Sequence, residues 1–244
     1  MIKEKNIING NELVSEIVAK DYNTAEIFKD YGIDFCCGGR ISINEICEQN
    51  GIRKENLLKK LNELPKNKFN ENVIENLDLD TLTVYIVNTH HAYVRDNSLK
   101  LISFLSKLKQ VHGENHPELK IINDIFNEIN SDLIKHMQDE ETILFPHIRK
   151  IVHNKIENTA LKSPYFKNLG EYIKSVEAEH TIVGDKVKEI RKITNNFILP
   201  KDACNTYQIT FAILIEFEND LYRHIHLENN ILFPKAIKLE NKIN

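Results

Sequence analysis

At 244 residues the chain can bury a proper core, either as one large domain or as a small domain followed by a bundle of ordinary size. Eight Gly and six Pro are few, while Leu, Ile, Lys, Glu and Asn are abundant, so the composition argues against a turn-rich all-β protein and for long helices. The net charge of −4 arises from interspersed acids and bases, which leaves no basic stripe for nucleic acid or an anionic membrane surface.

In chain order, the opening MIKEKNIINGNELVSEI lacks the apolar core of a secretory signal, and no apolar run approaches the roughly 18 residues that cross a bilayer. A soluble cytoplasmic protein with no membrane partner is therefore expected. Residues 11–64 read as short helices, with Leu13, Ile17 and Val18 on one apolar face, Ala25, Ile27 and Phe28 on another, and Leu57, Leu58 and Leu61 on a third. Gly32 and the pair Gly38 and Gly39 interrupt them. The adjacent Cys36 and Cys37 suit a reducing compartment, and four Cys in so long a chain do not make a disulfide framework. Such a pair before two glycines is expected to be exposed, either for thiol chemistry and transient metal handling or as an unreactive loop. Cys47 and Cys204 read as buried small apolar residues.

The stretch LPKNKFNENVIEN is polar, opens with a Pro and breaks the periodicity. It places a small helical domain over 1–64, a linker over 65–76 and a second domain over 77–244. Within the second domain four helical stretches follow, roughly 80–111, 117–152, 164–194 and 202–239, with Pro117 and Pro164 where a first helical turn tolerates proline. Leu99, Ile102, Leu105 and Leu108, and later Ile209, Ile213, Phe217 and Leu221, supply apolar residues at helical spacing. Short connections favour an all-α, up-down-up-down four-helix bundle.

An internal echo carries the chemistry: HMQDEETILFP from His136 and HIHLENNILFP from His224 share the pattern H-x-x-x-E-x-x-I-L-F-P. A spacing of four places imidazole and carboxylate on one helical face, so His136 with Glu140, and His224 with Glu228, each form a one-turn ligand set. A carboxylate can bridge two ions while the imidazole ends on one, and two facing sets would supply two bridges and two terminal nitrogens. The first and third helices add His90 and His180. His136 lies about 29 Å and His90 about 32 Å from the turn that joins their helices, one common height; His180 and His224 match less closely, at about 21 Å and 33 Å. His112, about 33 Å from His90 along the helix, is excluded from that cluster. His226 and Glu141 face away, and His91, His116, His147 and His153 are read as ordinary core or surface histidines. The I-L-F-P tails are read as core packing that ends in a helix break. Mixed imidazole and carboxylate ligands favour iron over thiolate-rich structural zinc or over manganese, with two iron ions per chain, an oxygen bridge and an open position for a small molecule.

These segments, with EAEHT around His180, the LPKDACNT turn and DFCCGG from Asp34, resemble the iron-sulfur cluster repair proteins, the YtfE and ScdA group of hemerythrin-like di-iron proteins. The resemblance spans nearly the whole chain. It implies a cytoplasmic homodimer that helps restore iron-sulfur clusters damaged by nitric oxide or oxidants. By position it implies the oxo-bridged di-iron ligands His90, His136, Glu140, His180, His224 and Glu228. His112 also matches a family histidine, and HHAYVRD departs from the charged residues expected after the first ligand. Three functions share this donor set: supply of iron to damaged iron-sulfur proteins with help from Cys36 and Cys37, binding and reduction of nitric oxide, or oxygen and redox sensing.

Overall fold

The computed structural model describes residues 7–64, 72–157 and 168–242, and among them every regular element is helical, with one isolated bridge between Leu13 and Ser42. Residues 65–71 of the expected linker, and Pro164, expected to open the third long helix, lie outside the described residues. Two compact units result: Met1–Asp78 with His226–Pro234, and Leu79–Ile225 with Lys235–Asn244. A piece of the last long helix thus groups with the small domain, although the sequence put all of 77–244 in one domain.

In the first unit, α1 (Val14–Lys20), α2 (Thr24–Asp30), α3 (Ile43–Asn50), α4 (Lys54–Glu63) and α5 (Asn72–Glu75) enclose Val14, Val18, Phe28, Ile43 and Leu57. Helices this short are marginal alone and depend on that shared apolar core. Helix α3 starts at a capping box, in which Ser42 Oγ accepts from Glu45 N (3.2 Å) and Glu45 Oε2 accepts from Ser42 N (3.1 Å). It stops at Gly51, whose φ of 64° a side chain would disfavour.

The second unit is an all-α bundle built from long helical runs. The first is α6 (Leu79–Ile86) followed by α7 (Ala92–His112), the second α8 (Glu118–Asp139) followed by α9 (Phe145–Glu157), the third α10 (Leu169–Ile193), and the fourth α11 (Asn205–Leu227) followed by α12 (Phe233–Glu240). Helix α8 packs along both α7 and α10, and α6 packs along α9. The buried stripe of α8 runs Leu119, Ile122, Phe126, Ile129, Leu133 and His136, and that of α10 runs Ile173, Val176, His180, Val183, Val187 and Ile190. The predicted ligands therefore occupy core positions of the heptad pattern rather than a surface face. Two expected core residues fall off the stripe: Leu99 is 70% and Ile209 51% exposed, because Leu101 and Thr210 take the inward positions.

Helix α10 ends where Asn195, Asn196 and Phe197 adopt φ of 48°, 59° and 59°. Thr194 Oγ1 accepts from Phe197 N (3.1 Å), and the Phe197 ring lies 4.9 Å beneath the Arg191 guanidinium, which together hold this left-handed run. Among the described residues no helix is long and apolar enough to cross a membrane.

Candidate metal centre

Three of the long runs contain one π-helical turn each: Val87–His91, Glu140–Leu144 and Glu228–Leu232. The turns close by backbone bonds five residues back, from Ala92 N to Val87 O, Phe145 N to Glu140 O and Phe233 N to Glu228 O. In a regular α-helix a Pro ring would meet the carbonyl four residues before it, and the wider π-turn relieves that crowding at Pro146 and Pro234. The I-L-F-P tails thus do not break the helix as expected; it continues to Glu157 and to Glu240. Each π-turn begins or ends on a residue of the buried polar cluster: His91, Glu140 and Glu228.

Two groups of donors gather there. His91, Glu140, His224 and Glu228 form one, and His136, Glu140, His180 and Glu228 the other, each with ligand atoms within 4.8 Å of one another and all side chains buried. Both groups share both glutamates. His91 Nε2 is 3.1 Å from His224 Nε2, and His136 Nε2 is 2.9 Å from His180 Nε2. Glu140 Oε2 lies between the pairs, 3.4 Å from both His91 Nε2 and His136 Nε2. Two nitrogens at right angles about a cation, each about 2.1 Å from it, stand about 3 Å apart, so the separations within each pair fit a shared ion. Burying so many imidazoles and carboxylates together costs several kcal/mol per group unless coordination or pairing offsets it.

Outer carboxylates fix the tautomers. His91 Nδ1 donates to Glu141 Oε1 (2.6 Å) and His136 Nδ1 donates to Glu179 Oε2 (2.7 Å), which turns the Nε2 lone pairs inward. The hydrogen bond from His136 holds the Glu179 carboxyl below its ordinary range. At Glu141 burial pushes the other way, but the bonds from His91 and Arg95 outweigh it and the carboxyl is again lowered.

Of the six predicted ligands, the structure brings His136, Glu140, His180, His224 and Glu228 into these groups and leaves His90 outside them. Helical rise places His90 inward on a straight α-helix, but the π-turn Val87–His91 shifts the phase by a residue and brings His91 into the donor group instead. His90 is buried beside it, donating from Nδ1 to Asp220 Oδ1 (2.8 Å), its ring parallel to that of His224 at 5.6 Å. The looser level match of His180 and His224 is absorbed by the connection 194–204, which lets α10 end nearer the cluster than α11 begins. His112 stays at the other end of α7, 3.3 Å from Cys204. His226 is buried against the Tyr22 and Phe35 rings, His147 meets Glu240, and His153 meets Glu157 on the surface.

Two thiols differ from expectation, while Cys47 is buried as expected. Cys36 is 3% exposed rather than open, and Cys204 is exposed rather than buried. Asp34 Oδ1 accepts from Cys36 N (3.1 Å), Cys37 N (2.9 Å) and Cys36 Sγ (3.4 Å), and Cys36 Sγ is 3.8 Å from Cys37 Sγ. The neighbouring Cys37 thiol, then burial and the Asp34 charge, push the Cys36 thiol well above the ordinary range. Asn229 and Asn230 donate through Nδ2 to Cys36 O (3.3 and 3.2 Å), and Arg40 Nη2 donates to Asn229 O (3.0 Å). The thiol loop is so fastened to the helix segment that carries Glu228. Gly39 is required there, since a Cβ would stand 2.3 Å from Phe35 O.

Comparison with known proteins matches residues 82–236 to a family described as the hemerythrin HHE cation binding domain, and residues 10–65 to one described as a domain of unknown function, DUF542 or ScdA_N. Over 94% of its length the chain is 31% identical to the iron-sulfur cluster repair protein ScdA of Staphylococcus haemolyticus, of which it covers 99%. It is 31% identical, over 92% of its length, to a probable iron-sulfur cluster repair protein of Haemophilus influenzae, covering 96%. With the iron-sulfur cluster repair protein YtfE of Yersinia pseudotuberculosis it shares 29% identity over 88% of its length, covering 91%.

Proposed function

This chain belongs to the iron-sulfur cluster repair family, and on that premise we propose that it helps restore clusters damaged by nitric oxide or oxidants by supplying iron to them. The observation that carries this reading is the sharing of Glu140 and Glu228 between two histidine pairs, a donor set of nitrogen and oxygen suited to two adjacent iron ions. Iron held there would supply a redox-active pair with room for a small diatomic molecule such as nitric oxide or oxygen.

The chain's own residues hold and orient. Glu141 and Glu179 fix the inward nitrogens of His91 and His136, and both carboxylates reach the surface, with Glu179 53% and Glu141 26% exposed. Outer partners of this kind change metal affinity by about 10- to 100-fold, so the grip on iron is adjustable from the protein surface. Cys36 and Cys37 would receive iron on its way out. For that the loop must first loosen from Asn229 and Asn230, because Cys36 is buried and its thiol is held protonated. The working setting is a reducing cytoplasm, in line with four free thiols, and the resemblance to the repair family supports a homodimer as the working form.

Incubating the iron-loaded protein with an apo ferredoxin and sulfide tests the reading. Cluster formation faster than with an equal amount of free iron is expected, slowed by replacement of Cys36 and Cys37. Delivery no better than free iron, together with turnover of nitric oxide to nitrous oxide, would replace iron supply with nitric oxide reduction.

A further inference from the structure

The geometry points to a second transition-metal site at the other end of the bundle, formed by His112, His116, Asp202 and Cys204. His112 closes α7, and by helical rise it lies about 32 Å from His91 along that run, so this cluster shares nothing with the central donors. The turn between α7 and α8 ties the two histidines together, with His116 N donating to His112 O (2.8 Å). The connection before α11 contributes the other two, Asp202 and Cys204, both exposed.

The donors stand as two pairs. His112 Nε2 is 3.3 Å from Cys204 Sγ, and His116 Nε2 is 3.1 and 3.2 Å from the Asp202 carboxylate oxygens. Ligands on one tetrahedral ion would be separated by roughly 3.5 Å for nitrogen and sulfur and roughly 3.3 Å for nitrogen and oxygen, given the usual bond lengths. The two rings have centroids 6.4 Å apart, about 1 Å wider than a shared ion requires. Rotation of the two rings toward each other, about 0.5 Å each, closes that gap, and the exposed side chains of Asp202 and Cys204 follow their histidines.

The histidines are already held as ligands are held. Tyr207, 2% exposed, meets both rings edge-on, at 5.7 Å for His112 and 5.8 Å for His116. Glu118 Oε1 accepts from His116 Nδ1 (3.0 Å), the carboxylate–imidazole arrangement that orients a metal-binding Nε2, and the same arrangement seen at His91 and His136. One thiolate, two imidazoles and one carboxylate form a borderline-soft set that selects Zn2+ or Co2+ over the weaker-binding Fe2+ and is unsuited to Mg2+ or Ca2+. Binding releases the proton of the Cys204 thiol and that of His116 Nε2 to solvent. The competing account is that His116 is only a cation clamped between Glu118 and Asp202.

Titration of the iron-loaded, full-length protein with Co2+ separates the two. The site predicts a thiolate-to-cobalt charge-transfer band that saturates at one equivalent, persists in the Cys36→Ser, Cys37→Ser double variant and is absent from Cys204→Ser. Glu118→Gln, which leaves every donor in place, should weaken Co2+ binding by about tenfold. Unchanged iron content and helicity in each variant show that the fold and the central donors are intact. A parent protein without the band, or a Cys204→Ser variant with the same band, overturns the site and leaves the ion-pair clamp.

Discussion

Replacing His91 by Ala should remove one nitrogen from the central donor set, whereas His90→Ala should leave the set complete. The two side chains are adjacent and both buried, but only His91 places Nε2 against His224 (3.1 Å) and Glu140 (3.4 Å). Four-ligand metal sites in small domains bind with roughly 10–16 kcal/mol in total, so one ligand contributes about 3 kcal/mol, or about a hundredfold in affinity. His90→Ala loses instead a hydrogen bond to Asp220 and a buried ring, which should lower stability by about 1–3 kcal/mol while metal content stays at the parent level. Competition against a chelator, with metal content measured after desalting and a thermal melt of each apo-protein, gives both quantities. Retention of metal by His91→Ala with loss from His90→Ala would refute the π-turn argument and restore the straight-helix assignment.

Arg191→Ala should strand the buried Glu218, whose Oε1 accepts from Arg191 Nε at 2.7 Å, and should cost at least about 2 kcal/mol, seen as a melting point lower by about 4–8 °C. Ser42→Ala removes the cap of α3 and should cost about 1 kcal/mol in chemical denaturation, with iron content unchanged. Alkylation of the apo-protein should label exposed Cys204 first and Cys36 last. Because Cys37, burial and Asp34 raise the Cys36 thiol above its ordinary range, its labelling should stay slow until the pH is well above that at which a free thiol reacts. Peptide mass mapping over a pH series reads the order, and early labelling of Cys36 would contradict the fastened loop.

The repeated H-x-x-x-E spacing was legible because imidazole and carboxylate one turn apart share a face whatever surrounds them, whereas helical rise alone left His180 and His224 about 12 Å apart in level, a difference that the connection 194–204 absorbs. The choice between His90 and His91 was not, since it depends on one π-turn whose cause lies in the packing of the whole run; the only local mark of such turns is Pro146 and Pro234, which sequence logic reads as stops. Leu99 and Ile209 misled for a related reason: apolar spacing in a Leu- and Ile-rich helix fits more than one face, and burial selects among them. The burial of Cys36 was hidden because its partners, Asn229 and Asn230, lie far along the chain.

Iron K-edge X-ray absorption on the purified protein, combined with metal analysis, bears most directly on the paired donor groups that share Glu140 and Glu228. The account predicts two irons per chain, nitrogen and oxygen neighbours without sulfur, and an iron–iron scattering path that vanishes in Glu140→Ala and in Glu228→Ala. One iron per chain with no second iron nearby, or sulfur in its coordination shell, would contradict it.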